Sequence, residues 1–120
     1  MGALSVIIGA MGAHAVKKIV DEQALQIFET AARYQMYHSF ALLVVAFLYK
    51  EVKNKSVLWA GRCFLLGILL FSGSLYSLTF LLPEGRKLGM ITPIGGLFFI
   101  AGWLLLFYAS RKINASTPVN

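Results

Sequence analysis

The sequence predicts an all-α membrane protein: four transmembrane helices with an amphipathic segment between the first and second. Three observations predict it. Met1–Val16, Tyr34–Tyr49, Cys63–Pro83 and Leu88–Ser110 contain no Asp, Glu, Lys or Arg, and at 16, 16, 21 and 23 residues they fill most of a chain of 120. About 20 apolar residues in a helix cross a hydrocarbon core of about 30 Å, a length the last two runs meet and the first two approach. The chain is 58% hydrophobic and 13% charged, with a mean hydropathy of +0.73, too little charge to clothe a soluble domain of this size. Each run is continuous rather than alternating. Backbone N–H and C=O groups find no water in lipid, so continuous apolar segments of this length become helices, not barrel strands.

The spans fall at about 1–18, 32–50, 57–82 and 88–110, in a single domain over residues 1–110 followed by a polar tail, 111–120. The first ends on Lys17-Lys18, cations well placed at a helix C-terminus. It lacks the basic region that precedes a signal peptide's apolar core, so it is expected to be retained. Its abrupt start at Met1 leads us to expect that a few residues of a fuller span are missing. Asp21 can cap the next helix, with Glu22 in its first turn. Val20, Ala24, Ile27, Phe28 and Ala31 then share one apolar face, and Asp21, Glu22, Gln26, Glu29 and Arg33 supply the polar remainder. No Gly or Pro lies between Ala13 and Ala60, so this segment can also run on into the second span as one bent helix from Asp21 to Tyr49. Lys50–Ser56 reads as the clearest loop, and Trp59 and Arg62 mark the interface where the third span enters. Leu82–Lys87 is a tight turn that requires antiparallel neighbours. Pro93 lies about one turn into the fourth span, where Thr92 can re-satisfy the carbonyl it frees.

Lipid tails give helices no hydrophobic drive to associate, so small residues that permit close approach matter. Ser5, Gly9 and Ala13 recur every four residues; Ala60, Gly67 and Ser74, and Gly95, Gly102 and Ala109, recur every seven. A seven-residue stripe fits left-handed antiparallel packing. Gly9, Gly67, Gly73, Gly95 and Gly102 are therefore the expected packing positions, and the hydroxyls of Ser72, Ser74 and Ser77 can bond across helices.

Lys and Arg number 11 against five Asp and Glu, a net +6. The cations are scattered through short connections, which suits lipid headgroups and not nucleic acid. With four spans, Lys50, Lys53, Lys55, Arg62, Arg111 and Lys112 share the side of the termini, against Lys17, Lys18, Arg33, Arg86 and Lys87. Six against five favours cytoplasmic termini by a single charge. Cys63 is the only cysteine, which excludes an intrachain disulfide or a cysteine metal cluster.

An ionisable group at membrane depth costs about 2.5–3.5 kcal/mol on insertion scales and needs a partner or a purpose. The candidate ligand-binding cluster is therefore His14, Glu29, Arg33, Tyr34, Tyr37 and His38, with Gln35 among them. Arg33 and Tyr37, and Tyr34 and His38, stand four apart on one helical stretch. His14, near the end of the first span, can return to their level after a short connection. Two histidines can relay a proton, but a metal needs more ligands, so no metal or cofactor is expected. Anchoring of Tyr, His and Arg in the headgroup layer is the competing and stronger reading. No Ser-His-Asp set, paired-carboxylate site or phosphate loop is present, and an enzyme is not expected.

Four segments in order resemble a known family: Gly9–His14, Phe28–His38, Gly67–Tyr76 and Ile91–Gly96. Over about Gly2 to Ala109 the chain resembles the domain of unknown function 423 family, small bacterial four-span membrane proteins similar to transmembrane protein 256. The resemblance implies a multi-pass protein of the bacterial cell membrane, with a usual chain that begins some residues earlier, and it implies no catalytic residue. The expected function is that of a non-catalytic membrane protein that supports membrane integrity or associates with partners, as a homo-oligomer or with other membrane proteins. The alternative is binding or transport of a lipid, ion or small hydrophobic molecule, for which four helices would need an oligomer.

Overall fold

The computed structural model describes residues 1–81 and 88–116, with side chains through residue 112, and among these there is helix and no strand. Four long helices follow in order: α1 (Gly2–His14), α2 (Glu22–Val52), α3 (Lys55–Leu81) and α4 (Ile91–Ser116). By length and composition, α3 and α4 are apolar enough to cross a membrane.

The boundaries differ from the sequence expectation in three places, each for a local reason. The first helix is α-helical only to His14; Val16–Lys18 forms a 3₁₀ turn that lets the chain reverse toward Asp21. Asp21 caps α2 as expected, its Oδ1 accepting the Ala24 N–H at 2.7 Å. From there α2 runs unbroken for 31 residues, so the amphipathic segment and the expected second span form the single helix that the sequence also allowed. The expected loop at Lys50–Ser56 shrinks to Lys53 and Asn54. Lys53 takes the left-handed conformation (φ 48°) and donates its N–H to Tyr49, while the Asn54 side chain accepts the Ser56 N–H at 2.7 Å and starts α3. At the far end α4 continues to Ser116 and does not stop at Ser110, which extends helix into the expected polar tail. Pro93 sits in the first turn of α4, where its missing N–H removes no helical bond. The Thr92 hydroxyl pairs with Ser74 of α3 at 2.7 Å instead of returning to its own backbone. The turn expected at Leu82–Lys87 lies outside the described residues.

The tightest packing joins α3 and α4. A Cβ on Gly102 would meet the Phe64 ring, one on Gly67 the Phe99 ring, and one on Gly95 the Phe71 backbone, with Phe71 Cα 2.8 Å away. The Ser74–Thr92 bond continues the series. Positions 64, 67, 71 and 74 climb α3 in alternating steps of three and four while their partners descend α4, the antiparallel heptad geometry of interlocking knobs and holes. Val57, Ala60, Leu106 and Ala109 extend this buried seam. Within it, Ile68–Ser72 forms one π-helical turn of α3.

Of the other expected packing glycines, Gly9 and Gly73 have nothing within 4 Å of a built Cβ. On α1 the buried residues are Ser5 and Gly12, seven apart, and Gly12 lies against Phe28 of α2. The four-residue stripe expected on α1 is thus replaced by the same seven-residue spacing that α3 and α4 use. Gly61, also unanticipated, takes Val45 of α2. Among the described residues α1 packs on α2 alone, leaving the array open along α1 and flat, with extents of 60, 27 and 16 Å, not closed as a four-helix bundle.

Two substitutions read this packing. Gly95→Ala forces a methyl into the Phe71 backbone and should lower stability by about 1–3 kcal/mol in reversible unfolding from mixed micelles. Gly73→Ala should be neutral or stabilising by about 0.5–1 kcal/mol. At the hairpin, Lys53→Asn should raise stability and Lys53→Val lower it, each by about 1 kcal/mol, because a β-branched residue resists the left-handed region.

Candidate functional site

Two polar features sit inside the apolar array. The first centres on His38, which is buried on α2. Its ring stacks on Phe99 at 3.4 Å between centroids with planes 8° apart, and Phe64 lies 5.6 Å away. Its Nδ1 lies 2.8 Å from the Tyr34 carbonyl, and the indole N–H of Trp103 donates to its Nε2 at 3.4 Å. A carbonyl only accepts and an indole N–H only donates, so these partners assign the neutral tautomer with hydrogen on Nδ1. Both ring nitrogens are thereby engaged, and the Nε2 lone pair a metal would need already holds Trp103.

The second feature is a row of hydroxyls that bond the α2 backbone. Ser5 of α1 donates to the Ala32 carbonyl at 3.1 Å and Ser72 of α3 to the Ala31 carbonyl at 2.8 Å. The alanines leave both carbonyls open to approach. Beside them Gln35, also buried, accepts the Tyr76 hydroxyl at 2.9 Å through Oε1 and donates through Nε2 to the Met1 carbonyl at 3.4 Å. Ser39 returns its hydroxyl to the Gln35 carbonyl at 2.7 Å. Among the described residues, every buried side-chain nitrogen and oxygen has a hydrogen-bond partner. Above Gln35 a groove of about 190 Å³ opens between α1 and α3, walled by Leu4, Ile8, Ile68 and Leu69 and edged by Ser72, Gly73 and Tyr76.

The structure separates the cluster expected from sequence. Tyr34 and Tyr37 keep company with His38, their rings 6.1 Å apart from each other and, for Tyr34, 6.1 Å from the imidazole. Tyr34 also stacks on Phe71 at 4.6 Å. Glu29 and Arg33 are exposed on α2, and His14 is exposed at the end of α1. His14 does not return to the level of His38. α1 runs antiparallel to α2, with Ser5 at Ala32 and Gly12 at Phe28, and Phe28 is ten residues from His38, about 15 Å of helix rise. Among the described residues no three His, Cys, Asp or Glu gather as a metal site. Ser72 and Ser74 cross to neighbouring helices as their position allowed, whereas Ser77 bonds Gly73 of its own turn. Sequence reasoning missed Trp103 and Tyr76. Their signal was available, since an indole N–H or phenol placed well inside an apolar run needs an acceptor there.

Serines, glycines, Gln35 and His38 are buried beside Phe28, Phe64 and Phe99 while many large apolar side chains lie outside, a burial pattern that fits an all-α membrane protein. The chain belongs to the family described as "Protein of unknown function (DUF423)", whose model matches residues 8–96. It is 43% identical over 109 residues to a UPF0382 membrane protein of Staphylococcus haemolyticus, covering 91% of this chain and 87% of that protein. Identity to the UPF0382 membrane protein YwdK of Bacillus subtilis is 42% over 110 residues, 91% of this chain and 88% of the relative. A UPF0382 membrane protein of Haemophilus influenzae is also 42% identical, over 111 residues, 92% of this chain and 87% of its own. No solved structure matches.

A double-mutant cycle with His38→Phe and Trp103→Phe, read by unfolding in micelles, should give a coupling of about 0.6 kcal/mol and not above about 1.7, the range for hydrogen bonds between membrane helices. A coupling near zero would remove the indole–imidazole bond.

Proposed function

We propose that this chain is a four-span, non-catalytic protein of the bacterial cell membrane. In this reading it works through what its helices touch, supporting the membrane or joining other membrane proteins, copies of itself included. The carrying observation is the large apolar surface that all four helices leave exposed, Leu65, Leu66, Leu69 and Phe80 on α3 among it. α1 buries Ser5 and Gly12 while Leu4, Val6, Ile7 and Met11 are exposed. The second half of α2 exposes Phe40, Leu43, Val44 and Phe47, as α4 exposes Leu97, Ile100, Leu104 and Phe107. Contiguous exposed apolar surface of this kind needs lipid or protein against it. The interior supports the non-catalytic part, since its histidine is stacked and bonded on both nitrogens.

Labelling tests the spans. In a Cys63→Ser background, single cysteines at Lys18 and Asn54 should react with a membrane-impermeant maleimide from opposite sides. Labelling from the same side would leave only α3 and α4 as spans and defeat the reading. Association is tested by disulfide cross-linking of Phe47→Cys or Leu104→Cys in bilayers; cross-links that vanish on dilution with lipid would argue against a homo-oligomer.

A second reading, binding of a lipid tail or small hydrophobic molecule, draws support from the groove between α1 and α3. Gly73 lines it and has open space at its Cβ. Gly73→Leu should therefore reduce lipid retained through detergent purification, measured by native mass spectrometry, without loss of thermal stability; unchanged retention counts against this reading.

A further inference from the structure

We propose that the end of the molecule where the α2–α3 connection meets the C-terminal part of α4 is a binding surface for anionic phospholipid headgroups. The inference rests on the four-span reading, which puts this end at a bilayer surface.

The fold gathers the charges. α2 and α3 are joined at Lys53 and Asn54, and the antiparallel register of α3 on α4 carries Val57 to the level of Ala109. Lys50, Lys53, Lys55, Arg62, Arg111 and Lys112 thus share one end, and Glu51 is the acid among them. Toward the other end of the helices the described cations Lys17, Lys18 and Arg33 are matched by Asp21, Glu22 and Glu29. Topology responds to the count of Lys and Arg, which over the whole sequence divides six against five, while the acids divide one against four. The attraction of a headgroup layer responds to net charge near the surface, and there the ends differ strongly.

The cations are also held in place. Arg62 lies 4.6 Å from the Trp59 ring centre, Lys53 5.4 Å from Tyr49, and Arg111 5.9 Å from Phe107, each on its own helix. Trp and Tyr at this level belong to the aromatic belt of a bilayer interface. A cation resting on such a ring is held at the level of the ring, within reach of lipid phosphate oxygens. Asn54, Lys50 and Lys55 complete a rim with one carboxylate in it. A zwitterionic headgroup brings its own cation and gains little here; phosphatidylglycerol brings none.

The full chain, reconstituted in vesicles of phosphatidylglycerol and phosphatidylcholine, should retain the anionic lipid preferentially in native mass spectrometry, with the preference falling as salt rises from about 50 to 500 mM. The triple variant Lys50→Gln, Lys55→Gln, Arg111→Gln should lose that preference about tenfold, while Lys17→Gln, Lys18→Gln, Arg33→Gln keeps it. Unchanged preference in the first variant, or equal loss in both, overturns the assignment. Alkaline carbonate extraction separates the two levels. Release of the protein by carbonate sinks the membrane-spanning reading, whereas resistance without any lipid preference sinks this surface alone.

Discussion

The interlock of Phe64, Phe71 and Phe99 with Gly102, Gly95 and Gly67 fixes the height of everything else in the molecule. The Phe64 and Phe99 rings and the Phe71 backbone occupy the space side chains would fill on the facing helix, so α3 and α4 can pair in one register. Slipping by a residue would drive rings into backbone. That register holds Phe99 where His38 stacks on it and Trp103 where its indole reaches the same imidazole. α2 is thereby set against the α3–α4 pair, and Ser72 and Tyr76 meet its Ala31 carbonyl and Gln35. The polar row is a consequence of an apolar fit.

Lipid as the outer solvent explains why the polar groups are inside at all. In water a buried glutamine or histidine gives up hydration and regains little by pairing. Against hydrocarbon the alternative is an unpaired group facing tails, so even modest interhelical bonds choose the inward orientation. In the four-span reading the same argument accounts for α1, whose apolar side chains are exposed while a serine and a glycine are buried. Its orientation is chosen by Ser5 on the Ala32 carbonyl and by the close approach of Gly12, not by burial of bulk.

Much of this was legible in the sequence because it depends on period and composition. The helices, the Asp21 cap and the seven-residue small stripes on α3 and α4 are local patterns, and Gly67, Gly95 and Gly102 stand where those stripes put them. The polar site was only partly legible. Spacing showed that Tyr34 and His38 share a face, yet it carried no information on which helix that face meets. Glu29 and Arg33 stand on the same helix as His38 but lie on its exposed side, and His14 is separated from it by the antiparallel run of α1. Tyr76 and Trp103 were passed over because each is a single polar atom on a large apolar body. Helix ends were least legible: the two-residue link at Lys53–Asn54 arises from capping geometry that a basic, polar stretch conceals.

The extensive contacts join helices adjacent in the chain, α1 with α2, α2 with α3 and α3 with α4, while α4 reaches back to α2 through Phe99 and Trp103 at His38. Such an arrangement has a bearing on biogenesis. As the polypeptide leaves the ribosome, each new helix finds most of its docking surface in the one just completed, and it is His38 of α2 that waits for partners two helices on. In order of synthesis α4 then closes on α3 and brings Phe99 and Trp103 to that imidazole. The closure of α4 sets the tightest contact, whereas Ser5, Gln35, Ser72 and Tyr76 of the polar row find their partners once α1, α2 and α3 are in place.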